Sequence, residues 1–197
     1  MPRIRTDEDV LQVSLAALWV LASTVGSASV QEIAEAAVVS PRTFHRYFPQ
    51  KEDCIRPAIA DARREMLESL LAQPADLPMA EAWTRSFARA VDGPYAERTR
   101  LLLTATSANP ALNVVWEDEF LSGARDTALL LRKRAGESND LYVCETAAVM
   151  LVSLTLRALR DSVEGGGDPV DCVRARLASI SQTGLAGVAG HEVDPIY

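Results

Sequence analysis

Residues 40–53 read SPRTFHRYFPQKED, which crowds three aromatic rings, two arginines and a histidine between Ser40 and Phe48 in a 197-residue chain of net charge -7. Ser40 followed by Pro41 is a helix start, because the proline lacks only an N–H that the first turn leaves unpaired anyway, and Pro49 is a stop. At 100° per residue the stretch between them separates into two faces. Phe44, Tyr47 and Phe48 fall on one, Arg42, His45 and Arg46 on the other. So short a helix is unstable alone. The rings therefore predict anchorage onto neighbouring helices, with the basic face outward.

The neighbours are legible upstream. Ser29 and Glu32 have capping-box spacing and open a second helix through Ala37, leaving Val38-Val39-Ser40 as a three-residue turn. A first helix starts after Thr6, with Asp7, Glu8 and Asp9 facing the positive end of its dipole, and ends near Val25-Gly26. Its apolar residues Leu11, Leu15, Leu18, Ala22 and Val25 recur at spacings of three and four. Val10–Gln31 carries no charge, but the acidic residues before it and the polar ones within it read as a soluble amphipathic helix rather than a secretory or membrane segment.

Downstream, a fourth helix runs from Lys51 or Glu52 to about Leu71, with Pro57 a candidate kink, and Gln73–Pro78 marks a boundary. Further helical stretches cover roughly Met79–Val91, Tyr95–Ser107, Pro110–Ala135, Asp140–Val163 and Pro169–Gly184, with a frayed end to Tyr197. No alternating strand pattern intervenes, so the fold class is all-α, and 48% hydrophobic residues suffice for a true core.

Two short helices joined by three residues form a helix-turn-helix, whose second helix enters the major groove of double-stranded DNA with its N-terminal residues, here Pro41, Arg42 and Thr43, against base edges. Arg42 or Arg46 suits a bidentate contact to guanine and the Thr43 methyl suits thymine, while Lys51 and the Tyr47 hydroxyl suit phosphates. The acidic balance of the whole chain confines such binding to a local patch and makes it salt-dependent. The plain alternative is a solvated basic face on a helical interaction module that binds no DNA.

The segment VQEIAEAAVVSPRTFHRYFPQKED, preceded by one amphipathic helix, resembles the DNA-binding domain of the tetracycline-repressor (TetR) family of bacterial transcription regulators. Carried over by position, the resemblance implies that Gln31, Arg42, Thr43, His45 and Arg46 face DNA, with Tyr47 and Lys51 on the backbone. It implies a DNA-binding domain over 1–50, a linking helix over 51–72 and a C-terminal helical effector-binding and dimerisation domain over 73–197. It also implies a cytoplasmic homodimer that represses from a palindromic operator and is released by a small molecule. The family usually has glycine where Val38 stands, so either a slightly different turn or a strained one is expected there.

For the effector pocket that the resemblance implies, Trp83, Phe87, Trp116, Phe120, Met150 and Leu154 are large apolar or aromatic candidates, and Thr104, Asn109 and Asn113 could orient a polar group, although ordinary core packing is the usual role of such residues. The last two helices of this family pair with their twofold mates, which points to Val149, Leu156, Leu177 and Ile180 at the interface, although burial within the protomer accounts for them nearly as well. Catalysis lacks partners. The histidines are His45 and His191, the acidic run Glu117-Asp118-Glu119 stands apart from both, and Gly165-Gly166-Gly167 lacks the lysine of a phosphate loop. Cys54, Cys144 and Cys172 are odd in number and far apart, which suits a reducing compartment and suggests no metal or cofactor.

Overall fold

The computed structural model describes residues 6–136 and 140–182, with side chains through Ser179; the tail beyond Gln182 lies outside the described residues. Among these residues every regular element is helical: α1 (Asp7–Ser23), α2 (Val30–Ala36), α3 (Pro41–Tyr47), a 3-10 turn (Glu52–Ile55), α4 (Arg56–Ala72), α5 (Met79–Val91), a second 3-10 turn (Gly93–Tyr95), α6 (Ala96–Ala108), α7 (Pro110–Ser122), α8 (Ala124–Ala135), α9 (Leu141–Gly165) and α10 (Pro169–Gln182). Two details differ from the sequence reading. The single helix expected over Pro110–Ala135 is broken at Gly123, whose carbonyl accepts the Thr127 hydroxyl at 2.9 Å as α8 begins. Pro57 kinks nothing, because α4 starts at Arg56 and the proline falls in its first turn, where no N–H is needed.

The helices group into two compact units: the chain up to Glu65 with Arg89–Ser122, and Met66–Ala88 with the chain from Gly123 onward. This grouping departs from chain order, since α6 and α7, inside the region 73–197, pack with the N-terminal helices.

In the first unit α1 is central, touching α2, α6 and the first 3-10 turn. Leu18 and Leu21 of α1, Ile33, Phe44, Ile55 and Leu112 are fully buried. The buried Ser14 hydroxyl accepts the Ala58 N–H at 3.1 Å, satisfying one of the donors that the first turn of α4 leaves open. Arg98 of α6 is buried beside Asp61 of α4 at 2.6 Å, donates to the Ala90 carbonyl at 3.3 Å and lies over the Tyr95 ring at 4.6 Å. Burial lowers the pKa of its guanidinium and Asp61 opposes the shift, as befits a desolvated charge kept with its counter-ion. Burial likewise pushes the Cys54 thiol up to about 12, leaving it inert.

In the second unit α9 packs between α8 and α10. Its 25 residues are long and apolar enough, by length and composition, to cross a membrane, more than the uncharged run 146–156 suggested. Its stripe of Cys144, Ala148, Leu151, Thr155, Leu159 and Ser162 is nevertheless buried against its own neighbours. The Trp83 indole N–H donates to Thr155 Oγ1 at 2.9 Å, and that hydroxyl donates to the Leu151 carbonyl at 2.8 Å, so the largest side chain of this core has its polar atom satisfied. Arg134 of α8 donates to the carbonyls of Leu70 (3.3 Å), Gln73 (2.7 Å), Pro74 and Leu77 (3.4 Å), which closes the C-terminus of α4 and the connection after it.

Candidate nucleic-acid interface

Helices α2 and α3 have seven residues each, and local chemistry supplies their ends. The Ser29 hydroxyl accepts the Glu32 N–H at 3.3 Å while the Glu32 carboxylate accepts the Ser29 N–H and hydroxyl, both at 2.7 Å. Those bonds, the backbone one foremost, hold the Glu32 carboxyl below the ordinary glutamate range. Ser40 Oγ accepts the Thr43 N–H at 3.0 Å and donates to Thr43 Oγ1 at 2.9 Å, with Pro41 at the first helical position.

The turn between them answers the question Val38 poses. The Val39 N–H reaches the Ala34 carbonyl at 2.9 Å and the Val38 N–H reaches Glu35 at 3.0 Å, the paired bonds of a Schellman ending, and Val38 takes the left-handed position at φ +55°. The turn keeps its ordinary geometry and is strained, at a cost of about 1 to 3 kcal/mol for a β-branched residue. Helix α1 ends the same way, with Val25 at φ +53°. Each valine is 64% exposed, so little burial offsets its strain.

The inner face of α3 is narrower than its sequence suggests. Phe44 and Phe48 are buried with ring centroids 5.1 Å apart, but Tyr47 is only half-buried. Arg46 lies over the Tyr47 ring at 4.8 Å and donates to its hydroxyl at 3.4 Å, so Tyr47 sits at the rim and steadies a basic side chain. Pro41, Arg42, His45 and Arg46 are exposed and Thr43 is half-buried at the N-terminal end. Gln31 is exposed on α2 and donates to Glu35 at 3.2 Å. Lys51 is folded back: its ammonium donates to the Ala28 carbonyl at 3.0 Å and lies 3.8 Å from Glu52, tying the chain after α3 to the chain before α2.

The effector candidates divide between the units, with Trp83, Phe87, Met150 and Leu154 in one and Thr104, Asn113, Trp116 and Phe120 in the other. Trp83, Phe87 and Trp116 are buried core residues; Phe120, Met150 and Leu154 are half-buried. Thr104 donates to the Arg100 carbonyl at 2.8 Å and Asn113 donates to Glu117, both within their own helix. Asn109 serves the fold. Its Oδ1 accepts the N–H groups of Ala111 (2.9 Å) and Leu112 (3.3 Å) as the cap of α7, and its Nδ2 donates to the Gly26 carbonyl at 2.7 Å.

Of the interface candidates, Val149 is 52% exposed, whereas Leu156 and Leu177 are buried within the protomer and the side chain of Ile180 lies outside the described ones. Val149 stands on a seven-residue line of α9 with Tyr142, Leu156 and Val163, of which Tyr142 and Val163 are exposed and Leu156, between Val149 and Val163, is buried.

Residues 16–57 match the family described as bacterial regulatory proteins, tetR family. No curated protein matches the chain in sequence. Among solved structures the chain is similar to a TetR transcriptional regulator from Rhodococcus sp. RHA1 (TM-score 0.55, 17% identity, 90% of this chain and 97% of that one). It is also similar to a tetR-family transcriptional regulator from Streptomyces coelicolor (TM-score 0.52, 15% identity, 94% and 86%). At these identities the likeness is one of fold over nearly the whole length.

Proposed function

We propose that this chain, whose N-terminal domain belongs to the tetR family of bacterial regulatory proteins, is a sequence-specific DNA-binding transcriptional regulator that works as a homodimer and is released from a palindromic operator by a small molecule. The observation that carries the reading is the construction of α3. Two buried rings fix it to the fold, a serine cap and Pro41 open it, and its exposed surface is Arg42, His45 and Arg46. In this reading Pro41, Arg42 and Thr43 lead into the major groove, Arg42 and Arg46 reach guanine edges, and Gln31 and His45 flank them. Tyr47 and the two remaining N–H donors of Lys51 lie on the phosphates.

Residues 1–50 serve as the reading head and 51–72 as its link to the C-terminal helices, which hold the effector and the partner subunit. A single seven-residue helix reads few base pairs, and a twofold pair gains specificity from the spacing of two half-sites. Exposed Tyr142 and Val149, one heptad apart on α9, support pairing with a second copy, because large exposed side chains at that spacing suit a helix–helix seam. An effector switches such a protein only through unequal affinity for two arrangements of the reading heads.

The test is selection of random duplex DNA by the purified protein, with Arg42→Ala/Arg46→Ala as control. Wild type is expected to enrich a twofold-symmetric site, and each lost bidentate contact weakens it by roughly 1 to 3 kcal/mol. Val149→Glu is expected to shift the protein toward monomer in sedimentation. Absence of any enriched site at low salt would favour a helical interaction module instead.

A further inference from the structure

Helix α7 is fastened at one end to the connection before α2 and at the other to α4, the helix that follows the reading head. At its N-terminus, the Asn109 amide donates to the Gly26 carbonyl at 2.7 Å, on the connection that leads into α2. The approach is so close that a Cβ on Gly26 would lie 2.5 Å from the Asn109 Cβ, and Gly26 has φ +78°, so only glycine serves there. Towards its C-terminus, α7 presents Asp118 and Glu119 to Arg56, the first residue of α4, at 2.8 and 3.3 Å. Glu119 is also held by Arg63, which donates to its carboxylate at 3.1 Å and to its carbonyl at 2.8 Å. Asp53 completes the cluster at 3.0 Å from the Arg56 Nε.

From Asn109 to Glu119 is ten residues of helix, roughly 15 Å of stiff rod. One end is fastened to the chain just before α2 and the other to Arg56 and Arg63 of α4, which follows α3 after the first 3-10 turn, by contacts that belong to neither short helix. We propose that α7 is a strut that sets how α3 is presented, with Asn109, Arg56 and Glu119 as positioning residues for DNA reading that touch no DNA. This rests on the DNA-reading role of α3. It also gives the acidic run Glu117-Asp118-Glu119 a use that its sequence left open. Asp118 is largely exposed and its pairing weak, whereas the less exposed Glu119 is shared by two arginines and is the firmer of the two. The Asn109–Gly26 bond is the other firm point, because both of its partners are already fixed, one as a helix cap and one in a left-handed turn.

Asn109→Asp separates tether from cap: the carboxylate still accepts the α7 N–H groups but has no donor for Gly26. Arg56→Gln tests the other end. For both full-length variants, amide hydrogen exchange across residues 27–48 is expected to quicken about tenfold. Affinity for the duplex selected by wild type is expected to fall about tenfold, in the range of measured couplings between sites. Affinity for random duplex and its salt dependence stay at wild-type values, since no phosphate contact is removed. Loss of thermal stability with unchanged exchange in 27–48 would overturn the strut, as would faster exchange with unchanged affinity for the selected duplex. If wild type itself prefers no duplex, the DNA reading fails and the positioning role fails with it; that outcome is recognised by wild type and variants being alike on every duplex.

Discussion

Helices α3 and α9 each have one buried and one exposed face, yet they are specified in opposite ways. In α3 nearly every residue has a task that its type announces: Ser40 caps, Pro41 starts, Phe44 anchors, Arg42, His45 and Arg46 face out, and Phe48 buries as the helix ends. In α9 an Asp140 cap and a left-handed Gly166 bound 25 residues whose apolar side chains fall on several faces, and residue type does not say which face its own protomer uses. A helix too short to be stable alone needs strong local signals. A long one is held by burial, which is decided by neighbours far away in sequence.

Truncating the main anchor in each region tests that contrast most severely. Phe44→Ala and Trp83→Ala should each cost about 3 to 5 kcal/mol in urea or thermal unfolding followed by circular dichroism. Phe44→Ala should in addition abolish selection of DNA by whatever protein remains folded. A loss under 1 kcal/mol at Phe44 would mean that α3 is not held by its rings. Next comes Thr155→Val, nearly isosteric, which leaves the buried Trp83 N–H without its partner; a loss of about 1 to 3 kcal/mol is expected, and no loss would show that the bond contributes nothing.

A smaller effect of opposite sign belongs to the turns. Val38→Gly and Val25→Gly relieve left-handed strain but loosen the unfolded chain, for a net gain of about 1 kcal/mol each, read as a raised midpoint. A gain at Val25 alone would separate the turn inside the helix-turn-helix from the one before it. The smallest effect is a pH dependence. The Glu32 carboxyl has its pKa lowered in the folded state, so its stabilisation is present above its unfolded pKa and is lost as pH falls through the folded value. The difference in midpoint between wild type and Glu32→Gln should therefore shrink as the solution is acidified from neutrality through and below the ordinary glutamate range; a difference that does not change with pH would remove the capping box from the account.

The first three helices were largely legible because their signals are local. Both capping serines, Pro41, the three-residue turn and the outward placement of Arg42, His45 and Arg46 stand in the structure as their spacing predicted. Tyr47 was placed too deep, because a helical wheel assigns a direction but not the depth of the neighbouring surface. Lys51 was assigned to the phosphates, and its bond to the Ala28 carbonyl, a partner 23 residues away, is one that no local pattern announces. Leu156 and Leu177 were ambiguous for a similar reason: a leucine on an apolar face fits a protomer core and an oligomer seam equally well.

By itself the amino-acid sequence determined an all-helical chain, the ends of its first three helices and the amphipathic split of α3, since caps, prolines and a 3.6-residue period act over a few residues. Only the tertiary structure decided that Val38 bears left-handed strain, that Trp83 is satisfied by Thr155, and that α7 reaches Gly26 at one end and Arg56 at the other. Those outcomes depend on contacts between residues tens of positions apart, where the free energy of one side chain is set by surroundings that its own neighbours in sequence do not encode.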